Sequence, residues 1–175
     1  HMGFLVSINT NGSLIDDEAI RKLQELPPTR VNITLYGASD ATYERLCGAK
    51  GVFSRVDGAI GGLKAAGVPV KLNCSLTPYN ACDLEAITRY AQEKDIYLQV
   101  NTYMFPPIRR DASMVGENDR FTPHEAAYYH MKRYQLQTTP EEYRSFLCQT
   151  AEGMEQPIGL DESCIDPVDG KIRCR

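Results

Sequence analysis

Short apolar runs alternate with amphipathic helical patterns over the first hundred residues. Four runs predict β-strands, at residues 4 to 9, 30 to 36, 68 to 77 and 96 to 104. Apolar residues three or four positions apart follow each of the first three runs, as is typical of amphipathic helices. A repeated order of strand and helix indicates parallel strands that are joined by crossover helices. The sequence therefore predicts an α/β fold.

Capping signals predict where several helices begin and end. Asp16 precedes the first helical pattern and can cap it, and Gly67 follows the second as a C-terminal cap. Beyond residue 105 the alternation stops. Thr122 and Thr139 each precede a proline, with Glu three residues after the threonine, which is a capping box that opens a helix. The two helices are expected at about residues 123 to 135 and 140 to 152.

One face of the predicted strands is polar in all four. Alternate positions supply one apolar face, with Val6, Ile8, Ile33, Leu35, Leu72, Leu76, Leu98 and Val100. The opposite face carries Ser7, Asn9, Asn32, Thr34, Tyr36, Lys71, Asn73, Ser75, Gln99, Asn101 and Tyr103. Each amide or hydroxyl buried without a partner costs about 1 to 3 kcal/mol, so this face must meet water or a ligand.

Two architectures can produce such a face. A solvated face of an antiparallel sheet is one, and it suits any single strand. Four strands that share the pattern within a βα alternation favour the other, which is an incomplete parallel (βα) barrel of about four strands with outer helices, followed by C-terminal helices and an irregular tail. Ligands of such folds gather at the carboxyl ends of the strands. We expect the barrel part over residues 3–110 and the C-terminal extension over residues 111–175.

Composition narrows the class of partner. The formal net charge is −4 and basic residues are scattered, so nucleic acid is not an expected partner. No apolar run approaches the roughly 20 residues that a membrane span needs, and we expect a cytoplasmic protein. The six cysteines show no C-x-x-C spacing that would indicate a zinc ribbon or a thioredoxin-like site.

Residues 4 to 110 resemble the middle and later strands of radical S-adenosylmethionine (radical SAM) enzymes. The matching features are "TNG" after the first strand, "NITLYGASD" with a short helix after it, the Gly51-Val52-Phe53 turn, and a helix that ends in Ala66-Gly67. Thr34 stands where the family pattern usually has Ser, Tyr36 where it often has Asp, and Cys47 where an Arg that can hold the cofactor carboxylate is common. Lys71 is either a substitute for that charge or a solvated lysine.

The resemblance implies a cofactor site and a reaction. S-adenosylmethionine (AdoMet) and a [4Fe–4S] cluster are expected in the intact enzyme, which would cleave AdoMet to a 5′-deoxyadenosyl radical and abstract hydrogen from a small-molecule or peptide substrate. Asn9 and Asn11 are expected near the methionine or ribose, Thr34 at the ribose, and Asn73 and Ser75 beside them. Asn101 and Tyr103 are expected toward the adenine or the substrate, and no catalytic residue is assigned.

Two features of the family are expected to lie outside this chain. Its C-x-x-x-C-x-x-C cluster loop is absent from the sequence, so we expect a fragment that is inactive and holds no cofactor by itself. The end "IDPVDGKIRCR" resembles the approach to the cysteine-rich extension of peptide-modifying members, where Cys174 would be a cluster ligand. Open sheet edges predict a dimer through those edges.

Two alternatives from other classes stay open at this stage. A non-redox barrel enzyme, such as an isomerase or aldolase, could use Lys71 as a base or as a Schiff-base amine. A binding or scaffold module could keep the half-barrel without any cluster. The first predicts activity without iron, and the second predicts folding without metal.

Overall fold

The computed structural model describes residues 3–103 and 120–155 of the chain, without the side chains of residues 152–155. The chain divides into two compact units, His1–Gln137 and Thr138–Arg175. The domain boundary that we predicted at residues 110 and 111 lies outside the described residues and stays a prediction.

A parallel sheet forms the centre of the first unit. Its strand order is β1-β2-β3-β4, so each strand pairs with the next one in the sequence. The strands are β1 (Ser7–Thr10), β2 (Arg30–Thr34), β3 (Val70–Ser75) and β4 (Leu98–Asn101). This arrangement confirms the predicted α/β class, with four parallel strands and flanking helices. Within the described residues, β1 and β4 each pair on one side only.

Helices connect the strands and continue after β4. They are α1 (Asp17–Glu25), α2 (Asp40–Cys47), α3 (Val52–Ala65), α4 (Leu84–Glu93), α5 (Pro123–Gln137) and α6 (Pro140–Glu155), with a 3₁₀ turn at Ala81–Asp83 before α4. The first unit contains α5, which meets α4, and the second unit contains α6. No helix within the described ranges is both long enough and apolar enough to cross a membrane.

The predicted caps are present in the structure. The Asp16 side chain accepts a hydrogen bond from the Ala19 N–H at 2.8 Å, and Gly67 has a φ of +74°, which favours glycine. The Thr122 hydroxyl donates a hydrogen bond to the Glu125 carboxylate at 2.8 Å, and the Thr139 hydroxyl donates one to the Glu142 carboxylate at 3.0 Å. Both helices begin one residue after the threonine, as the capping boxes predicted.

The apolar face of the sheet packs under the helices and forms the core. Fully buried side chains on this face include Ile33, Leu35, Leu72 and Leu76. Cys74 lies among them, and burial raises the pKa of its thiol to about 12, so the sulfur is protonated at neutral pH.

Val6 does not pack as the sequence pattern predicted, and Leu26 at the end of α1 is also exposed. Val6 is 54% exposed because it precedes β1, whose outer edge has no partner strand in the described residues. Leu26 is 82% exposed because the helix ends there and its backbone leaves the α-helical region. Phe4 and Leu5 are exposed beside Val6, and dimerisation through this edge stays a prediction.

Candidate functional site at the polar face of the sheet

The polar side chains of the sheet lie in rows that the strand register sets. Asn9, Asn32 and Lys71 occupy one level across β1, β2 and β3. Thr34, Asn73 and Gln99 form the next level, and Ser75 and Asn101 form the level at the strand ends. Neighbouring strands are about 4.8 Å apart, and successive levels are about 6.6 Å apart. The face therefore presents amides and hydroxyls over an area that matches a small polar ligand.

Hydrogen bonds join several of these side chains but leave one buried acceptor without a partner. The Asn32 Nδ2–H donates a hydrogen bond to Asn9 Oδ1 at 2.7 Å. Lys71 Nζ donates to Gln99 Oε1, and Gln99 Nε2 donates to Asn101 Oδ1 at 3.4 Å. The Oδ1 atom of Asn32 is buried and receives no hydrogen bond from the residues that the structure describes. A buried acceptor without a hydrogen bond raises the free energy of the folded protein. The polar face is therefore suited to a ligand that donates a hydrogen bond to this oxygen.

An open pocket of about 570 Å³ lies where β2 and β3 end. Residues that line this strand-end pocket include Tyr36, Arg45, Cys47, Ser75, Thr77 and Asn80. The Arg45 guanidinium donates to the Tyr79 carbonyl at 3.1 Å, which holds a positive charge at the pocket wall. A guanidinium in this place can bind a carboxylate or phosphate oxygen.

Asn80 holds the walls of the strand-end pocket together. It is 1% exposed, and its Nδ2 donates to the carbonyls of Tyr36 at 3.0 Å and Ser75 at 3.2 Å. Its Oδ1 accepts from the Thr77 N–H at 2.7 Å and from the Thr77 hydroxyl at 3.1 Å. One buried side chain thus joins the end of β3, the segment after β2 and the turn before α4.

The loop between β2 and α2 approaches that turn closely at Gly37. A Cβ atom at Gly37 would lie 2.5 Å from Thr42 Cγ2 and 2.8 Å from an Asp83 carboxylate oxygen, so only glycine fits. The next residue, Ala38, donates its N–H to the same Asp83 oxygen at 3.1 Å.

An aromatic pair supports the wall beyond this loop. The Tyr36 ring meets Tyr43 edge to face at 5.8 Å between centroids, and the Tyr36 N–H donates to the Tyr43 hydroxyl oxygen at 3.3 Å. Burial raises the pKa of Tyr43 to about 12, so this phenol stays neutral at physiological pH. Tyr43 therefore serves as packing for Tyr36 rather than as an acid or base.

A second pocket, of about 530 Å³, lies between β4 and α5. Gln99, Asn101 and Tyr103 line it from the strand side, and His130 and Arg133 line it from α5. We name it the β4–α5 pocket. Asn101 is the register partner of Ser75, which lines the strand-end pocket, so the two pockets adjoin across one strand spacing.

A family model described as the radical SAM superfamily matches residues 1–91, which is more than half of the chain. The chain belongs to the radical SAM superfamily. Intact enzymes of this superfamily use AdoMet and a [4Fe–4S] cluster, which agrees with the cofactors that the resemblance implied.

Several radical SAM relatives and solved structures are similar to this chain. The AdoMet-dependent heme synthase of Methanosarcina barkeri is 26% identical over 63% of this chain and 32% of its own length. The Fe-coproporphyrin III synthase of the same organism is 32% identical over 66% of this chain and 29% of its own length. The structure titled anSMEcpe with bound AdoMet and Cp18Cys peptide matches 73% of this chain and 35% of its own, with a TM-score of 0.60 and 23% identity. The chain thus spans about a third of these radical SAM proteins.

The two radical SAM cofactors fit the described residues to different degrees. The amides, hydroxyls and orphaned Asn32 acceptor fit the adenosyl part of AdoMet, and Arg45 fits its carboxylate. An iron–sulfur cluster needs thiolates, but Cys74 is buried and protonated while Cys47, Cys82 and Cys148 are exposed. Within residues 3–103 and 120–155, no group of three or more Cys, His, Asp or Glu is placed to hold a metal. The described residues therefore do not supply cluster ligands.

The structure distributes the seven predicted cofactor residues over the polar face. Ser75 lines the strand-end pocket, and Asn101 and Tyr103 line the β4–α5 pocket. Asn9 lies in the first row, and Thr34 and Asn73 lie in the second row. Asn11 instead closes a local turn, because its Oδ1 accepts from the N–H and the hydroxyl of Ser13 at 3.1 and 2.9 Å. Cys174, the predicted cluster ligand, lies outside the described residues.

Sequence reasoning missed the residues that shape the pockets. We considered Lys71 as the charge that replaces the missing arginine, but Lys71 lies in the first row and Arg45 lines the strand-end pocket. The position of Arg45, two residues before Cys47, was an available signal. Asn80 had a weaker signal in "TPYN" after a strand, since Thr and Asn three residues apart often close a turn. Arg133 had none, because its place depends on how α5 packs.

Proposed function

We propose that this chain binds AdoMet along its polar face and at the strand-end pocket, for hydrogen abstraction from a peptide substrate. AdoMet together with the family's [4Fe–4S] cluster supplies the 5′-deoxyadenosyl radical for that reaction, and the residues of this chain bind and orient. The observation that carries the proposal is the row of side chains around the orphaned Asn32 acceptor, which leads to a pocket containing Arg45.

Each row has a proposed part in binding. Thr34 and Asn73 share the middle level and are proposed to contact the ribose hydroxyls, with Asn9 toward the ribose or methionine. Arg45 and Ser75, at the strand-end pocket, are proposed to hold the amino-acid end. Asn101 and Tyr103 face the adjoining pocket, toward the adenine or the substrate.

The peptide is proposed as substrate because of the structural neighbour whose title names both AdoMet and a peptide. The two adjoining pockets also support it. The strand-end pocket is proposed for the amino-acid end of AdoMet, and the β4–α5 pocket is open and polar enough to accept a chain segment. The sequence resemblance of the C-terminal end to peptide-modifying members agrees with this choice.

The test uses 5′-deoxyadenosine, which contains the adenine and ribose but none of the groups that bind the cluster. We expect a saturable NMR titration of the full chain that shifts the side-chain amides of Asn32, Asn73 and Asn101. The Asn73→Ala variant should bind about tenfold more weakly, because it loses one or two hydrogen bonds. The exposed amide variant Gln24→Ala is the matched control and should bind like the unchanged chain. A dissociation constant weaker than about 10 mM for the unchanged chain would contradict the proposal.

A second candidate substrate is a porphyrin, which the names of the two Methanosarcina barkeri relatives favour. The same hydrogen abstraction would then act on a macrocycle. Titration with Fe-coproporphyrin III, followed by its visible absorption, distinguishes the candidates. A saturable spectral change at micromolar concentration supports the porphyrin, and its absence leaves the peptide as the proposed substrate.

A further inference from the structure

The β4–α5 pocket contains an arginine nitrogen that is buried and has no hydrogen-bond partner among the described residues. Arg133 as a whole is only partly buried and lines the pocket, while its Nε atom is buried and makes no hydrogen bond within the described part of the chain. A guanidinium N–H left buried in this way costs free energy, and an oxygen acceptor removes the cost. The Nε edge of arginine is also one of the two edges that bind carboxylates with paired hydrogen bonds. The missing partner is thus an oxygen-bearing group.

No acidic side chain of the described residues lines this pocket to meet Arg133. The lining consists of tyrosines, amides, Val100, Thr102, His130 and Arg133. Glu85, an acidic residue of α4, already forms an ion pair with Lys132 of α5 at 2.8 Å. The positive charge of Arg133 is therefore available for an anion that comes from outside the described residues.

His130 adds a neutral donor or acceptor to the same wall. Partial burial lowers the pKa of His130, and the nearby positive charge of Arg133 lowers it further. The imidazole is therefore uncharged at neutral pH, which leaves Arg133 as the formal charge of the lining. Taking a doubly charged phosphate out of water costs more than taking out a singly charged carboxylate, and one positive charge offsets less of that cost, so a carboxylate is the favoured anion.

We propose that Arg133 binds a carboxylate group of the substrate, and that this contact anchors the substrate beside the AdoMet site. The anchor rests on the proposed function, since it places the substrate next to the bound adenosyl group. Asn101 in this pocket and Ser75 in the strand-end pocket are register partners, about 4.8 Å apart across the sheet. For a peptide, the carboxylate is that of the C-terminus or of an Asp or Glu side chain.

The probe for this site is N-acetylglycine, which has the carboxylate and the amide of a peptide end. In an NMR titration of the full chain, we expect a saturable shift of the Arg133 Nε–H resonance, assigned by its through-bond correlations. N-Acetylglycinamide, which lacks only the charge, should produce no saturable shift. Inorganic phosphate should bind more weakly than N-acetylglycine.

Variants separate the guanidinium contact from general charge. Arg133→Gln should weaken N-acetylglycine binding by about tenfold or more. Arg133→Lys keeps the positive charge but loses the planar pair of N–H donors, and it should weaken binding by a smaller factor. Arg144→Gln is the matched control, because Arg144 is exposed and pairs with Glu141 at 3.2 Å. If Arg133→Gln does not fold, the titration of the unchanged chain still decides the question.

Three outcomes would overturn the proposal. They are equal shifts by the acid and the amide, equal responses of Arg133 and Arg144, and tighter binding of phosphate. The 5′-deoxyadenosine titration in the same samples keeps the two hypotheses apart. If 5′-deoxyadenosine binds but N-acetylglycine does not shift the Arg133 resonance, only the carboxylate anchor is contradicted. If 5′-deoxyadenosine does not bind but the Arg133 resonance shifts, the AdoMet proposal is contradicted and Arg133 is an anion site of another kind.

Discussion

Replacement of Asn80 by alanine is expected to lower the free energy of unfolding by about 3 kcal/mol. The change removes two donated and two accepted hydrogen bonds from a side chain that is 1% exposed. It leaves the carbonyls of Tyr36 and Ser75 and the N–H of Thr77 without these contacts. Buried backbone groups that lose partners in this way account for the size of the effect.

Urea denaturation followed by circular dichroism measures this loss. Asn11→Ala is the matched control, because Asn11 also accepts from a neighbouring backbone N–H, but in an exposed turn. That control should change the free energy of unfolding by less than about 0.5 kcal/mol. Asn80→Asp should destabilise at least as much as Asn80→Ala, since it puts a buried carboxylate oxygen against the carbonyls of Tyr36 and Ser75. A loss below about 1 kcal/mol for Asn80→Ala would show that water replaces the contacts.

Replacement of Gly37 by alanine should destabilise the protein by about 2 to 3 kcal/mol. The new Cβ would lie within 2.6 Å of two Thr42 side-chain atoms and 2.8 Å from the Asp83 carboxylate. Thr42 is buried and belongs to α2, so it cannot move away without shifting that helix. The strain should also lengthen the hydrogen bond from the Ala38 N–H to Asp83.

Gly58→Ala is the matched control for this second prediction and should have the opposite sign. Gly58 lies within α3, and a Cβ there meets nothing within 4 Å. Alanine at such a helix position stabilises by about 0.5 to 1 kcal/mol. Both variants can be compared with the unchanged chain by the same urea experiment. Equal stability of Gly37→Ala and Gly58→Ala would mean that the loop after β2 relaxes freely.

The elements could be predicted from the sequence where the signal is local. The capping boxes at Thr122 and Thr139, the Asp16 cap and the left-handed Gly67 each depend on residues that are within four positions of one another. The alternation of apolar and polar residues likewise assigned the two faces of β2, β3 and β4. It was wrong at Val6, whose burial needs a neighbouring strand.

The site could be predicted in part. The polar face was recognised from period-two alternation, and the register then placed Ser75 and Asn101 side by side. Arg45, Asn80 and Arg133 were not predicted, because each acts on residues that are distant in the chain. Asn80, for example, bonds to a carbonyl 44 positions away. Such contacts depend on the packing of loops and helices rather than on any repeating pattern.

The sequence by itself determined the order of strands and helices, the division of the sheet into an apolar and a polar face, and the resemblance to radical SAM enzymes. These follow from local periodicity, capping and motif order, which the chain encodes position by position. Only the tertiary structure decided which polar atoms are left without partners and which cations reach the two pockets. The reason is physical, since desolvation and guanidinium contacts depend on where α5 packs beside β4 and on how Asn80 joins the strand ends.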